Sequence, residues 1–371
     1  MRSEDKFKGC LIGGAAGDAL GYEVEFMNAK DIFRRFGEKG ITEYVLHNGV
    51  AQISDDTQMT LFTATGLLLG TTRGMMRGIM GEYSSYVAYS YKEWMRTQTG
   101  KYPDKDEYVY SWLANVRELY ARRAPGMTCM SAIDAGCNGR VDQPINNSKG
   151  CGGIMRVAPI GLYFVDKGMP IEQVDKIGAD VAALTHGHEL GYLPAAVLVH
   201  IIYRLASNDS MSVEDAVCEA MKTVRKLYPY AHHMQKLQDL VEKAIALASE
   251  DFDDLYAIRM LGEGWVAEET LAIAVYCAIK YADNFDKAMI AAVNHSGDSD
   301  STGAVTGNIL GAYLGLSGIP VKYIENLELK DVILEVAEDL YNDCRMSEYG
   351  EHYDPIWEQK YIEMTYRRNA R

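Results

Sequence analysis

Basic residues are in deficit. The chain carries 37 Lys and Arg against 52 Asp and Glu, a formal net charge of −15. Nucleic acid and anionic membranes are bound through basic faces, so neither a nucleic-acid surface nor a membrane surface is expected; only a local basic pocket stays open. Proline is scarce, nine in 371 residues, and no linker-like or low-complexity tract separates two halves. No run approaches the ~18 apolar residues of a membrane span, and no transmembrane helix is expected. Lys6 and Lys8 before the stretch Gly9–Gly17 imitate a secretory leader, but Asp18 and the glycines break its apolar segment and no Ala-x-Ala signal follows. Strand-like alternation is rare, with one candidate around Ile41 to Leu46, where Ile41, Glu43 and Val45 share a face. The seven cysteines are odd in number and contain no CxxC. That spread fits free thiols in a reducing cytoplasm better than a disulfide framework or a zinc site.

What is present is helical period. Val213, Ala216, Val217, Ala220, Met221, Val224 and Leu227 fall on one helix face, and Ser212 with Asp215 resembles a capping box at its start. Leu237, Leu240, Val241, Ala244 and Leu247 repeat the pattern, as do Ile171, Val174, Ile177, Val181 and Leu184. With 48% apolar residues, the chain reads as one all-α, compact multi-helix domain with at most a short strand or two. The main domain is expected over residues 1–326, with 327–371 as a helical extension packed on it. That tail holds Trp357 and several tyrosines and reads as a docking helix or an oligomer contact. The Tyr83 to Tyr120 region reads either as an amphipathic surface helix pair or as a substrate-side flap.

Two segments share a spacing. Gly9, Gly13, Gly17 and Gly21 recur every four residues, as do Gly303, Gly307, Gly311 and Gly315. Glycine costs a helix ~0.8–1 kcal/mol per position relative to alanine. Eight such positions predict two central helices in close backbone contact, packed against each other.

Two acidic clusters carry the chemistry. Ser54-Asp55-Asp56-Thr57 precedes the apolar stretch Met59–Leu69, and Gly297-Asp298-Ser299-Asp300-Ser301-Thr302 precedes the second glycine stripe. One acid at a helix start is an ordinary cap. Two clusters of paired carboxylates with flanking hydroxyls would repel one another unless cations lay between them. All are hard oxygen donors, suited to Mg2+, Mn2+ or Ca2+, and a two-metal site is the economical reading. Between the clusters, Asn147-Ser148-Lys149-Gly150-Cys151-Gly152-Gly153 forms a glycine-rich turn whose N–H groups suit phosphate, although it matches neither the P-loop nor the dinucleotide fingerprint. Thr185-His186-Gly187-His188 reads as a metal pair or as a structural or substrate-contacting motif.

Together these motifs resemble the ADP-ribosylglycohydrolase family. The resemblance runs through Gly9 to Gly21, Val24-Glu25, Ser54 to Gln58, Arg123 to Gly126, Gly150 to Pro159, Thr185-His186 and Gly297 to Asp300, over roughly residues 5 to 318. It implies an all-α domain holding two Mg2+ (Mn2+ in some members), with Ser54, Asp55, Asp56, Asp298, Asp300 and Ser301 as metal ligands. Threonine is usual at the two hydroxyl positions where this chain has serine. Glu25 matches a mobile glutamate, and either it or a ligating aspartate (Asp55, Asp56 or Asp300) would serve as general base. Ser148, Lys149, Gly150, Gly152 and Gly153 match the stretch that holds pyrophosphate and adenosine, and His186 a histidine on the adenosine side. Lys149 stands where some relatives stack an aromatic ring on adenine, and as a lysine it would pair with phosphate.

The implied activity is hydrolysis of the bond between ADP-ribose and an acceptor, foremost arginine, in a modified protein or small molecule, releasing ADP-ribose. Alternatives are serine- or nucleobase-linked substrates, or an ADP-ribose-binding or structural protein without turnover. Asp298-x-Asp300-x-Thr302 also fits the haloacid-dehalogenase signature, but that motif should follow a buried strand, and an HD-type phosphohydrolase would need a His-Asp pair that the chain lacks.

Overall fold

The computed structural model describes residues 2–103 and 108–368. Among these the chain forms sixteen α-helices: α1 (Glu4–Tyr22), α2 (Ala29–Phe36), α3 (Asp55–Arg77), α4 (Tyr83–Thr99), α5 (Met127–Asp134), α6 (Ala158–Tyr163), α7 (Ile171–Ala183), α8 (Glu189–Ser207), α9 (Val213–Leu227), α10 (Met234–Ala248), α11 (Asp254–Leu261), α12 (Ala267–Lys280), α13 (Phe285–Val293), α14 (Ser299–Leu314), α15 (Lys330–Asn342) and α16 (Pro355–Tyr361). The fold is all-α.

The pair α1 and α14 forms the axis, and nearly every residue of both is buried. They run antiparallel in a fixed register: a Cβ on Gly13 would overlap the carbonyl oxygen of Gly307, one on Gly17 that of Gly303, and one on Gly9 that of Gly311. The close approach predicted from the glycine spacing is therefore present, backbone against backbone. Asn308 Nδ2 adds a hydrogen bond to the Cys10 carbonyl at 2.8 Å.

Around this axis, α3 packs on α4, α8 on α7 and α9, and α12 on α10 and α14. Helix α9 begins as its sequence predicts: Ser212 Oγ accepts from the Asp215 N–H at 3.0 Å and donates to the Asp215 carboxylate at 2.6 Å. Helix α8 qualifies the reading that no segment is apolar enough to cross a membrane. By length and mean hydropathy (1.4) it is, yet 83% of that window is buried within the protein, and the helix serves as core.

The candidate strand at Ile41 to Leu46 does not form, and among the described residues there are only isolated bridges. The Asn294 side chain takes the place of a strand partner, accepting from the Ile41 N–H at 2.7 Å and donating to its carbonyl at 2.9 Å. The Tyr83–Tyr120 region holds one helix rather than a pair. Its Tyr91 and Trp94 are buried against α3, and two short 3₁₀ turns follow (Trp112–Asn115 and Arg117–Leu119); residues 104–107 lie outside the described residues. The tail docks on the protein itself. Helix α15 lies on α1 and α3, α16 lies on α3, and Trp357 Nε1 donates to Thr72 Oγ1 at 3.0 Å.

Candidate active site

Three helix ends meet. Because α14 runs antiparallel to α1, Gly21 near the end of α1 abuts the Ser299 carbonyl and Asp300 Cα at the start of α14. This brings Glu25, just beyond α1, alongside Asp298 and Asp300. One oxygen from each of the three lies within 4.8 Å of the others. Asp298 caps α14, and its carboxylate and that of Asp300 both accept from the Ser301 N–H, at 3.2 and 2.9 Å.

The third end is that of α3. Ser54 caps it, accepting from the Asp56 N–H at 3.2 Å. Behind it stands Asp18, on α1 and fully buried, which accepts from the Ser54 N–H at 2.9 Å, the Thr57 N–H at 3.0 Å and the Thr57 hydroxyl. The Arg123–Gly126 loop secures Asp55 from the other side: the Arg123 carbonyl accepts its N–H and Gly126 N–H donates to its carboxylate, both at 3.1 Å. The Asp300 charge acts on both Asp55 and Asp56, so the two acidic clusters face one another electrostatically.

Six carboxyl groups thus share one buried volume: Asp18, Glu25, Asp55, Asp56, Asp298 and Asp300. Burial first, and their mutual repulsion second, raise Glu25 to about 10 and Asp18 to about 7. Burial likewise holds Asp55, Asp56 and Asp300 well above the usual carboxylate range, with neighbouring carboxylates adding to it. Among the described residues no Lys or Arg forms an ion pair with any of the six. Arg123 pairs with Glu328 instead, at 3.1 Å. Glu25 Oε2 and Asp56 Oδ2 are buried with no hydrogen-bond partner. Unpaired buried acceptors carry a desolvation cost, and hard divalent cations are the partners that an all-oxygen set of this charge fits.

Next to the cluster lies the glycine-rich loop. Asn146 Oδ1 accepts from the Ser148 and Gly187 N–H groups, both at 3.0 Å, the Trp265 carbonyl accepts from the Cys151 N–H at 3.2 Å, and the Lys149 carbonyl from the Ala267 N–H at 2.9 Å. His186 lies beneath the loop. A Cβ on Gly152 would fall 2.9 Å from its ring, and one on Gly153 would fall 2.6 Å from the Gly191 carbonyl, so glycine is required at both. The His186 ring bonds Thr185 Oγ1 through Nδ1 at 2.8 Å, and burial, with the nearby Arg156 charge, lowers its pKa to about 3. It is a neutral imidazole. Two expectations change here. Lys149 does not present a free ammonium to phosphate, because it pairs with buried Glu268, which also takes Lys236 at 3.2 Å. His186-x-His188 is not a chelating pair, because His188 Nδ1 caps α8 by accepting from the Leu190 N–H at 2.9 Å.

A sequence model of the family described as ADP-ribosylglycohydrolase matches residues 1–350. The chain belongs to the ADP-ribosylglycohydrolase family. It is a hydrolase acting on ADP-ribose linkages. It is 23% identical to human ADP-ribosylhydrolase ARH3 over 357 residues, covering 88% of this chain and 90% of that one. It is also 23% identical to the ADP-ribosyl-[dinitrogen reductase] glycohydrolase of Rhodospirillum rubrum over 332 residues, covering 88% and 91%. A solved structure titled ADP-ribosylglycohydrolase-related protein complex shares the fold, with a TM-score of 0.62 at 23% identity over 91% of this chain and 98% of that one.

Within this ADP-ribosylglycohydrolase, sequence reasoning brought forward Ser54, Asp55, Asp56, Asp298, Asp300, Ser301 and Glu25, and the fold gathers them. It missed Asp18, whose only signal is a carboxylate inside an apolar helix. It did not consider Phe26, whose ring lies against that of Trp265. These two rings stack at 6.1 Å between centroids and 22° between planes, and are 74% and 39% exposed. Phe26 follows Glu25, and Gly264, beside Trp265, is packed against Asp298. The haloacid-dehalogenase reading fails: no strand precedes Asp298 among the described residues, and Thr302 Oγ1 bonds within the helix start, to the Asp298 carbonyl at 2.8 Å.

Proposed function

We propose that this enzyme hydrolyses the N-glycosidic bond between ADP-ribose and an arginine side chain, and that it does so with divalent cations bound. The observation that carries the reading is the buried six-carboxylate cluster with unpartnered oxygens on Glu25 and Asp56, flanked by the exposed Phe26–Trp265 stack. A guanidinium group is planar and cationic, and stacks on aromatic faces. An acidic cleft edged by two parallel rings suits that acceptor. The Rhodospirillum relative, named for a dinitrogen reductase substrate, supports the same reaction class.

The residues fit two Mg2+ or Mn2+. Ser54, Asp55, Asp56, Asp298, Asp300 and Ser301 would hold them, and such ions supply Lewis acidity and neutralise the crowded carboxylates. The chain's own groups do the remainder. Asp55, Asp56, Asp298 and Asp300 stabilise the positive charge that develops on the ribose as its bond to the acceptor nitrogen breaks. Burial and the surrounding carboxylates keep Glu25 protonated on its own, and bound cations would offset that repulsion and leave it ionised; its carboxylate then takes a proton from the attacking water and hands it to the departing guanidine nitrogen, so the exchange balances. Gly152 offers its N–H and Ser148 its hydroxyl to the pyrophosphate, while the Gly150 and Gly153 N–H groups hold the loop's own shape, at 3.4 Å from Ser148 Oγ and from the Gly150 carbonyl, and neutral His186 supports that loop from below. Lys149 contributes through its backbone hydrogen bond to α12. A cytoplasmic setting belongs to the same proposal, supported by seven cysteines that all stand unpaired.

The test is release of ADP-ribose from an arginine-ADP-ribosylated protein, with Mg2+ or with EDTA, for wild type and Asp300→Ala. Expected is release that needs Mg2+ and falls by about 10²–10³-fold or more in the variant. Release from serine- or nucleobase-linked substrates alone would replace the arginine assignment. Binding of ADP-ribose with no release from any substrate would overturn the catalytic reading.

A further inference from the structure

Beneath the glycine-rich loop lies a cation that no acid pairs. Arg156 is fully buried, and among the described residues its guanidinium forms no ion pair. Its partners are neutral: Nη1 donates to Cys129 Sγ at 3.2 Å, Nη2 donates to Thr185 Oγ1 at 2.5 Å and to the Val181 carbonyl at 3.4 Å, and the group lies over the Tyr91 ring. A buried charge without a counter-charge is costly. Guanidinium nitrogens only donate. Thr185 Oγ1 therefore accepts from Arg156, and its hydroxyl proton turns to its other neighbour, His186 Nδ1, at 2.8 Å. Nδ1 thus accepts, and the single proton of the neutral ring sits on Nε2. The position of Nε2 is an independent observation. His186 is 2% exposed, and among the described residues Nε2 has no hydrogen-bond partner. It lies between Gly150 and Gly152, where a Cβ on either would fall 3.3 Å from it. A buried, unpartnered N–H donor thus faces the glycine-rich loop.

We propose that Arg156 and Thr185 are positioning residues that fix the Nε2-protonated tautomer of His186, so that this ring donates a hydrogen bond to a phosphate oxygen of bound ADP-ribose. An ionised phosphate oxygen only accepts, and the opposite tautomer would set a lone pair against it. Hydrogen bonds to ionised acceptors are the strong ones, and a donor held in place beforehand needs no reorganisation when the ligand arrives. Arg156 touches no substrate; it acts through Thr185 Oγ1. The phosphate contact rests on the reading that the glycine-rich loop takes the pyrophosphate, whereas the tautomer belongs to the ligand-free protein and holds whatever the acceptor linkage is.

The experiment is long-range proton–nitrogen NMR of the full, ligand-free chain, with the His186 signals assigned by their loss in His186→Asn, followed by calorimetric titration with ADP-ribose. Thr185→Val keeps the side-chain shape and removes the hydroxyl, Thr185→Ser keeps the hydroxyl, and Arg156→Met removes the charge; circular dichroism shows which variants are folded. Expected is Nε2–H alone in wild type and in Thr185→Ser, and a mixture with Nδ1–H in Thr185→Val and Arg156→Met. Thr185→Val should bind ADP-ribose about tenfold or more weakly, as expected for one lost hydrogen bond to a charged group, and Thr185→Ser should bind like wild type. An Nδ1–H ring in wild type, Nε2–H alone in Thr185→Val or in folded Arg156→Met, or a mixed tautomer with unchanged ADP-ribose affinity would each overturn the proposal. The tautomer is read without ligand or metal, so its failure is distinct from failure of the hydrolase reading, which rests on release of ADP-ribose.

Discussion

At the scale of the residue, His186 offers a clean pH test. Its folded pKa lies near 3, below the ordinary 6.5, because the ring is buried beside Arg156. Between those values the unfolded chain binds a proton that the folded one refuses. The stability contributed by keeping His186 neutral is complete above pH ~6.5 and is lost as pH falls toward ~3. The stability gap between wild type and His186→Asn, measured by denaturant unfolding, should therefore be smaller by about 2 kcal/mol at pH ~4.5 than at pH ~7.5. The carboxyl cluster titrates in both proteins and cancels in the difference. A gap constant with pH would show that the ring is not held neutral. Residues of this kind differ in how readable they are. Ser54, Asp55, Asp298 and Asp300 stand out because paired acids with hydroxyls before an apolar run exceed what capping needs. Asp18 does not, because its partners Ser54 and Thr57 lie far along the chain. Lys149 misleads for the same reason: Glu268, which takes its charge, is 119 residues away.

At the scale of the element, the glycine stripes are specified by contact and not by flexibility. Gly13→Ala gains about 1 kcal/mol of helix propensity. It also drives a Cβ into the Gly307 carbonyl, where neither backbone can yield, and such overpacking costs about 1–3 kcal/mol or more. Gly74→Ala, on α3, meets no backbone atom but the Met80 side chain, its Cβ 3.2 Å away, and should cost clearly less than Gly13→Ala. Thermal melts of the two variants decide the matter; equal melting points would contradict the packing account. The stripe was legible because a four-residue repeat is rare without a reason. The absent strand was not legible, because nothing in Ile41 to Leu46 announces that Asn294 will satisfy its backbone. Helix α8 likewise depends on context, being long and apolar enough for a bilayer but enclosed by its neighbours.

At the scale of the whole molecule, the acidic site weighs on the fold. Six carboxyls are gathered where burial and repulsion oppose their charged forms. Raised folded values mean that the cation-free protein loses stability as pH rises above the ordinary carboxylate range of ~4. Mg2+ or Mn2+ bound to the folded state should reverse this. At a hundred times its dissociation constant, a cation adds about 2.7 kcal/mol of stability. Differential scanning calorimetry at neutral pH should show a higher melting temperature with Mg2+ than with EDTA, and a smaller gain in Asp300→Ala. An identical melting temperature with and without the ion would argue against the cation site. The all-α class was readable from helical period, since each helix records its own buried face. The meeting of three helix ends was not, because it depends on the α1–α14 register.

That register has a further consequence. A track of glycines every four residues matches itself again after a slide of four residues, ~6 Å along the axis. Small residues alone would tolerate several stops. Only one stop brings Glu25 level with Asp298 and Asp300. The choice falls to polar latches: Asn308 against the Cys10 carbonyl, and Asp5, which accepts from the Ser317 N–H at 3.1 Å and the Ser317 hydroxyl at 2.9 Å at the opposite end. Alignment of the reactive end is thus indexed from the remote end, like the notch that sets a sliding rule.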